Sequence, residues 1–233
     1  MPRPWIVTRH DPVEEIDAGL WAVRGDVPGI APDTGVDRRM HIVKLSDGRL
    51  AFHNAVPLDE AALAKVTAWG KPALLIVPNQ FHRLDARAFR EKLGLRVFAP
   101  GPVRAAVEKV VPVDGDLSML PADPAWAVEP LEGTKSGEAV IRAGHSLIFA
   151  DAVMNARPGK GLAALLFRLM GTTGKAPRIS LLWKLFAMKD RAAVRAHLMR
   201  LAETPGLVRL VFSHGPHVSD DAAGALRRAA EAL

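Results

Sequence analysis

The chain contains no cysteine, and that single absence removes several chemistries at once. Disulfides, thiolate metal sites and cysteine nucleophiles are excluded together, so any metal must rest on His, Asp and Glu, a donor set suited to hard or borderline ions. No apolar run reaches the ~18 residues that would suggest a membrane span. The opening Met1-Pro2-Arg3-Pro4-Trp5 lacks the apolar core of a signal peptide, so a cytoplasmic location is expected. No short repeat and no low-complexity linker interrupts the 233 residues, and 1–233 is read as one domain. One stretch also lacks acid. From Ala152 to Lys189 there is no Asp or Glu, against seven bases: Arg157, Lys160, Arg168, Lys175, Arg178, Lys184 and Lys189.

What is present is globular in character. A hydrophobic share of 49% with 24% charged residues supports a packed core and argues against disorder. The net charge of +6 would suit an anionic partner, but the basic residues are mostly spread out, so charge alone carries no nucleic-acid function.

Periodicity gives the elements. Leu20–Arg24, Met40–Leu45 and Arg49–His53 read as strands, the last two joined by the tight turn Ser46-Asp47-Gly48. Leu58-Asp59-Glu60 opens a helix to about Trp69, with Asp59 as N-cap. Ala73–Val77 is a short continuous apolar run, a strand buried on both faces. A helix over Asp85–Leu93, a strand over Leu95–Ala99 and a short helix from Pro102 follow, which points to a mixed sheet with helices outside. Strands at Ala125–Leu131, Glu138–Arg142 and His145–Ala150 build a second sheet. Apolar helices near Gly161–Met170 and Ile179–Met188 and an amphipathic helix over Asp190–Glu203 come next. The strand Leu207–Phe212 and a terminal helix close the chain.

Three strands end in polar residues: Asn79 with His82, then Asp151, then His214 with His217. Ligands bind beyond strand ends, on loops held by a rigid sheet, and an Asp and a His offered from separate strands make a common metal constellation.

The order of these segments resembles the metallo-β-lactamase fold, in a degenerate, uncharacterised branch. The resemblance rests on Leu45-Ser46-Asp47-Gly48-Arg49-Leu50, Ile76-Val77-Pro78-Asn79-Gln80-Phe81-His82, Leu147-Ile148-Phe149-Ala150-Asp151 and Val211-Phe212-Ser213-His214-Gly215, and covers about Leu20 to the end. It implies an α+β fold, a four-layer αββα sandwich with a helical insertion near 157–204 and a site at one edge between the sheets. Active members carry His-x-His-x-Asp-His after the strand equivalent to Ala73–Val77. Here the position reads Asn79-Gln80-Phe81-His82-Arg83-Leu84, with only His82 retained and out of register. The Gly-His-Thr turn of active members is replaced by Gly133-Thr134-Lys135, while Asp151 matches the metal-bridging Asp and His214 the last His ligand.

The resemblance thus implies Asp151, His214 and His82 as candidate ligands for at most one metal, zinc or another divalent ion. Asn79, Thr134, His53, Asn54 and His217 are candidate pocket residues. Arg83 and Lys135, if near, would repel a cation. A dinuclear zinc hydrolase is not expected; the first reading is a non-canonical member with an altered or lost metal site that binds a small anionic or apolar ligand, and a mononuclear metal-dependent hydrolase and a non-enzymatic dimeric interaction protein are the alternatives. For Asp151 a second reading stays open, a structural carboxylate paired with His214 or with backbone amides. His53-Asn54 reads as a hydrogen-bonding turn, and His217 and His145 as exposed. The 152–189 region is a lid over an apolar substrate, a homodimer contact through 161–188, or a membrane-surface patch. Lid and dimer are set first, with Trp183 and Phe186 lining the surface, and neither a membrane-surface nor a nucleic-acid partner is expected.

Overall fold

Alternation along single strands decides the layering of the computed structural model, which describes residues 4–233; Met1, Pro2 and Arg3 lie outside the described residues. In β5 (Lys71–Ile76), Leu74 and Ile76 face the second sheet while Leu75, with Val77 beyond it, faces outward-lying helices. In β9 (Ser146–Phe149), Ile148 points between the sheets, and Leu147 and Phe149 point to helices on the other side. β10 (Arg209–Phe212) repeats this, with Val211 inward and Leu210 and Phe212 outward. A strand apolar on both faces has to be covered on both. The result is helices, sheet, sheet, helices: the αββα sandwich expected from the sequence.

The first sheet has six strands in sequence order: β1 (Glu14–Asp17), β2 (Leu20–Asp26), β3 (Asp37–Lys44), β4 (Arg49–His53), β5 and β6 (Arg96–Phe98). The helices α1 (Glu60–Trp69), α2 (Ala86–Leu93) and α3 (Arg104–Glu108) contribute Val66, Phe89 and Val107 to its outer core. The second sheet runs β10-β9-β8-β7, with β7 at Trp126–Pro130 and β8 at Ala139–Ala143. Over it lie α6 (Arg191–Ala202) and the terminal α7 (Ala222–Glu231), through Val194, Leu198, Ala225 and Leu226. Phe52, Phe89, Phe98, Phe149 and Phe212 are fully buried, at about 1.5–3 kcal/mol each for removal from water.

β9 and β10 pair in parallel, Phe149 beside Phe212, which brings their following loops to the same end of the sheet. A parallel pair needs a long crossover, and residues 150–208 supply it, including α4 (Gly161–Leu169), α5 (Leu181–Phe186) and α6. The expected helices are present, α5 shorter than Ile179–Met188. Two features depart from the expectation. β1 was not anticipated: it is a polar edge strand with a register shift between Glu15 and Asp17. β3 starts at Asp37, because Arg24 of β2 pairs with the Asp37 carboxylate at 3.0 Å and carries charged residues into the ladder.

Candidate metal centre

Asp151 follows β9 by two residues, and His214 follows β10 by two, so the parallel register sets them side by side. His82 arrives from the first sheet, within the loop 77–85 that joins β5 to α2. Asp151 Oδ1 lies 3.1 Å from His82 Nε2 and 3.0 Å from His214 Nε2, and the three donor atoms all fall within 4.8 Å of one another. The two imidazole rings stand 5.3 Å apart between centroids.

His214 is oriented from behind. Its Nδ1 lies 2.6 Å from the carbonyl of Asp37, whose side chain also accepts the Gly215 amide at 2.7 Å. A ring that donates Nδ1–H to a carbonyl presents Nε2 to the site. That nitrogen then meets a carboxylate oxygen, and only a proton or a cation between them makes the contact favourable. The Asp151 carboxyl, though largely buried, is held well below the usual range by the charge and hydrogen bonds of His82 and His214; burial is the largest single influence on the His214 imidazole and depresses it, but the hydrogen bonds and charges of Asp151 and Asp37 together outweigh it and raise the ring. Three donors converging on one point, one of them braced by a carbonyl, fit a single divalent ion of the zinc class.

The other oxygen of Asp151 is committed elsewhere. Asn79 Nδ2 donates to Asp151 Oδ2 at 2.8 Å and to Glu138 Oε2 at 3.1 Å, and Asn79 Oδ1 accepts the Phe81 amide. Glu138 is fully buried, and its Oε1 accepts the amides of Asp151 and Ala152 at 2.9 and 2.8 Å. Burial first, then the Asp151 charge, push the Glu138 carboxyl up to about 7. Glu138 therefore fixes the backbone that carries Asp151. Sequence reasoning read it as the first residue of a strand and missed this. The available signal was an acid between Gly137 and the apolar Ala139-Val140-Ile141.

The other sequence candidates divide. Asn54 lines a cavity of about 180 Å³ together with His82, Asp151, His214 and Arg38. Its left-handed backbone (φ 67°) is closed by Oδ1 accepting the Ala55 amide and Nδ2 donating to the Arg39 carbonyl, the hydrogen-bonding turn expected. His53, Thr134 and His217 line neither of the two cavities that contain Asp151. His53 is buried against His41, Nδ1 to Nδ1 at 3.4 Å, and burial depresses both imidazoles, His53 to about 3. The Thr134 hydroxyl donates to the Leu131 carbonyl and accepts the Gly137 amide, closing its own loop. His217 is half-buried rather than exposed, while His145 is exposed as read. Arg83 turns away to the carbonyl of Ala106. Arg38, unforeseen, is the basic side chain in the smaller cavity, buried and paired with Asp85.

Above Asp151 and His214 a larger cavity of about 680 Å³ is walled by Phe81, Met154, Phe167, Leu182, Trp183 and Phe186. The 152–189 region thus roofs the site with apolar side chains, as a lid over it would.

No protein-family model matches the chain, and no curated protein matches it. Solved structures do. A metallo-β-lactamase from Pontibacter korlensis superposes with a TM-score of 0.64 at 14% identity, covering 97% of this chain and 100% of that one. The metallo-β-lactamase FIM-1 from Pseudomonas aeruginosa, in a mono-zinc form, gives 0.60 at 14%, covering 95% and 96%. A metallo-β-lactamase from Hirschia baltica gives 0.60 at 15%, covering 94% and 98%. At these identities the likeness is one of architecture, and it extends over nearly the whole chain: the protein has the metallo-β-lactamase fold.

Proposed function

We propose that this protein is a mononuclear, divalent-metal member of its fold, hydrolase-like in architecture but without the dinuclear centre. The observation that carries the proposal is the convergence of His82, Asp151 and His214 on one point beneath an apolar cavity. A bound ion of the zinc class supplies Lewis-acid chemistry and a nucleophile at neutral pH. The chain's own residues position and exclude. Asn79 holds Asp151 Oδ2 so that Oδ1 faces the imidazoles, Glu138 anchors the backbone beneath, and the cavity walls keep water from the reacting group of a bound substrate.

A second cation is disfavoured on two counts. The donors that would cage it are replaced by Asn79, Phe81, Arg83, Leu84 and Thr134. The Arg38 guanidinium in the neighbouring cavity, paired with Asp85, offers only N–H donors and no lone pair to a cation.

A second reading has its own support. Asp151 Oδ1 lies within hydrogen-bond distance of both imidazoles, so a metal-free ion-pair cluster would also hold the sheet edge together. Elemental analysis of protein purified without chelator distinguishes the two. The proposal predicts close to one equivalent of zinc-class metal per chain, lost in Asp151→Ala. Two equivalents would overturn the mononuclear reading, and none, even after incubation with zinc, would leave the ion-pair cluster.

A further inference from the structure

The crossover between β9 and β10 presents an apolar face to solvent. On α4 the exposed side chains Leu162, Leu165, Leu166 and Leu169 follow the i, i+3, i+4, i+7 spacing of one helix face, Leu162 at 83% and Leu169 at 72% exposure. On α5 Leu181, Leu185 and Phe186 are exposed in the same way. Scattered exposed leucines need no explanation, but two adjoining helices with most of their large apolar residues in water mark an interaction surface.

Charge chooses the occupant. The same segment holds seven bases and no acid, and Arg157, Lys160, Arg168, Lys175 and Lys189 are exposed. Among the described residues no ion pair involves any of the seven; Arg157 and Lys184 reach only carbonyls, those of Lys175 and Ala232. A second copy would meet this face through a two-fold axis, bringing the patch against itself and its exposed bases toward their own counterparts, with no acid of the segment to pair them. That repulsion disfavours the homodimer contact set first on sequence grounds. An anionic, apolar-cored partner satisfies both halves of the surface. No helix among the described residues is long and apolar enough to cross a membrane, whereas α4 and α5 have the leucines and flanking bases of helices that lie in an interface.

We infer that the α4–α5 face docks onto the surface of an anionic membrane, its leucines entering the headgroup boundary and its bases meeting acidic lipid. Leu182 and Phe186 belong both to this face and to the wall of the cavity over Asp151, so docking brings the cavity mouth to the bilayer.

Flotation of the full-length protein with vesicles of phosphatidylcholine alone, and of equimolar phosphatidylcholine and phosphatidylglycerol, tests the inference. Binding is expected to the anionic vesicles at low salt, much less to the neutral ones, and to weaken steeply toward ~1 M salt, where screening acts within about 3 Å. Leu162→Glu/Leu166→Glu/Leu169→Glu and, separately, Lys160→Glu/Arg168→Glu/Lys175→Glu are each expected to weaken binding by about a hundredfold. All six positions are exposed, so the melting temperature should stay unchanged; if the leucine variant fails to fold, the charge-reversal variant carries the test. Absence of binding to anionic vesicles would overturn the inference, as would equal binding by wild type and charge-reversal variant. So would a dimer in light scattering that dissociates in the leucine variant while vesicles remain unbound.

Discussion

The sheet edge and the crossover helices invert the usual distribution in opposite senses. At the sheet edge, Glu138, Asn79, His41 and His53 are polar and buried; in α4 and α5, leucines are apolar and exposed. The first arrangement is costly unless every donor and acceptor is matched, and around Glu138 they are: two amides on one oxygen, the Asn79 amide on the other. The second is costly unless something covers it. The cluster around Glu138 is satisfied within the chain, His41 and His53 each keep one buried ring nitrogen without a hydrogen-bond partner, and the apolar face is completed only from outside. That difference separates a site from a docking surface, and Asp151 links the two, because the crossover that carries α4 and α5 leaves the second sheet through its loop.

The comparison can be broken most severely at Glu138. Glu138→Ala leaves the Asp151 and Ala152 amides and one N–H of the Asn79 side chain without an acceptor in the core, and a loss of about 3–5 kcal/mol is expected in chemical denaturation. Glu138→Gln, which keeps an acceptor for the amides, should cost far less. Because the folded carboxyl is raised to about 7 from an ordinary 4.5, wild-type stability from this group is complete below pH 4.5 and is lost as pH rises through 7; the Gln variant should not show that loss.

The crossover contains its own internal contrast. Trp183 is 5% exposed and Phe186, in the same helix, 69%. Trp183→Ala should cost about 3 kcal/mol or more. Phe186→Ala should change stability by less than about 0.5 kcal/mol, and thermal melts of the two variants would show the gap.

A smaller effect separates the buried histidines from the site. His41 and His53 stay neutral in the fold, His53 down to about 3, while in the unfolded chain they accept protons near 6.5. Below 6.5 the unfolded state binds more protons, so stability present above that pH falls on acidification toward the folded values. The slope is about 1.4 kcal/mol per pH unit for each histidine. Urea midpoints measured between pH 7 and 5 should fall more steeply for wild type than for His41→Leu/His53→Leu. The smallest effect is at the docking face itself, where Leu166→Glu should leave stability within about 0.5 kcal/mol of wild type.

Much of this was legible in the sequence, for physical reasons that also explain what was not. Strands alternating between two cores announce themselves, and Asp151 and His214 were found because each follows such a strand. β1 was missed because an edge strand needs no apolar alternation, and Glu14 and Glu15 stay in water. Glu138 was missed because a buried acid is spelled like an exposed one; only the three-dimensional arrangement shows what its oxygens accept. The His41–His53 pair was within reach: a hairpin centred on Asp47 puts the two opposite each other, and that is the register observed. The exposure of the α4 leucines was not legible, since an apolar helix reads the same whether the face meets core or water.

The proposed centre is one metal held by three side chains, His82, Asp151 and His214. Titration of chelator-stripped protein with zinc in a calorimeter tests it most directly. One saturable site per chain is predicted, absent in Asp151→Ala. Two sites of comparable affinity, or one that survives the loss of Asp151, would contradict it.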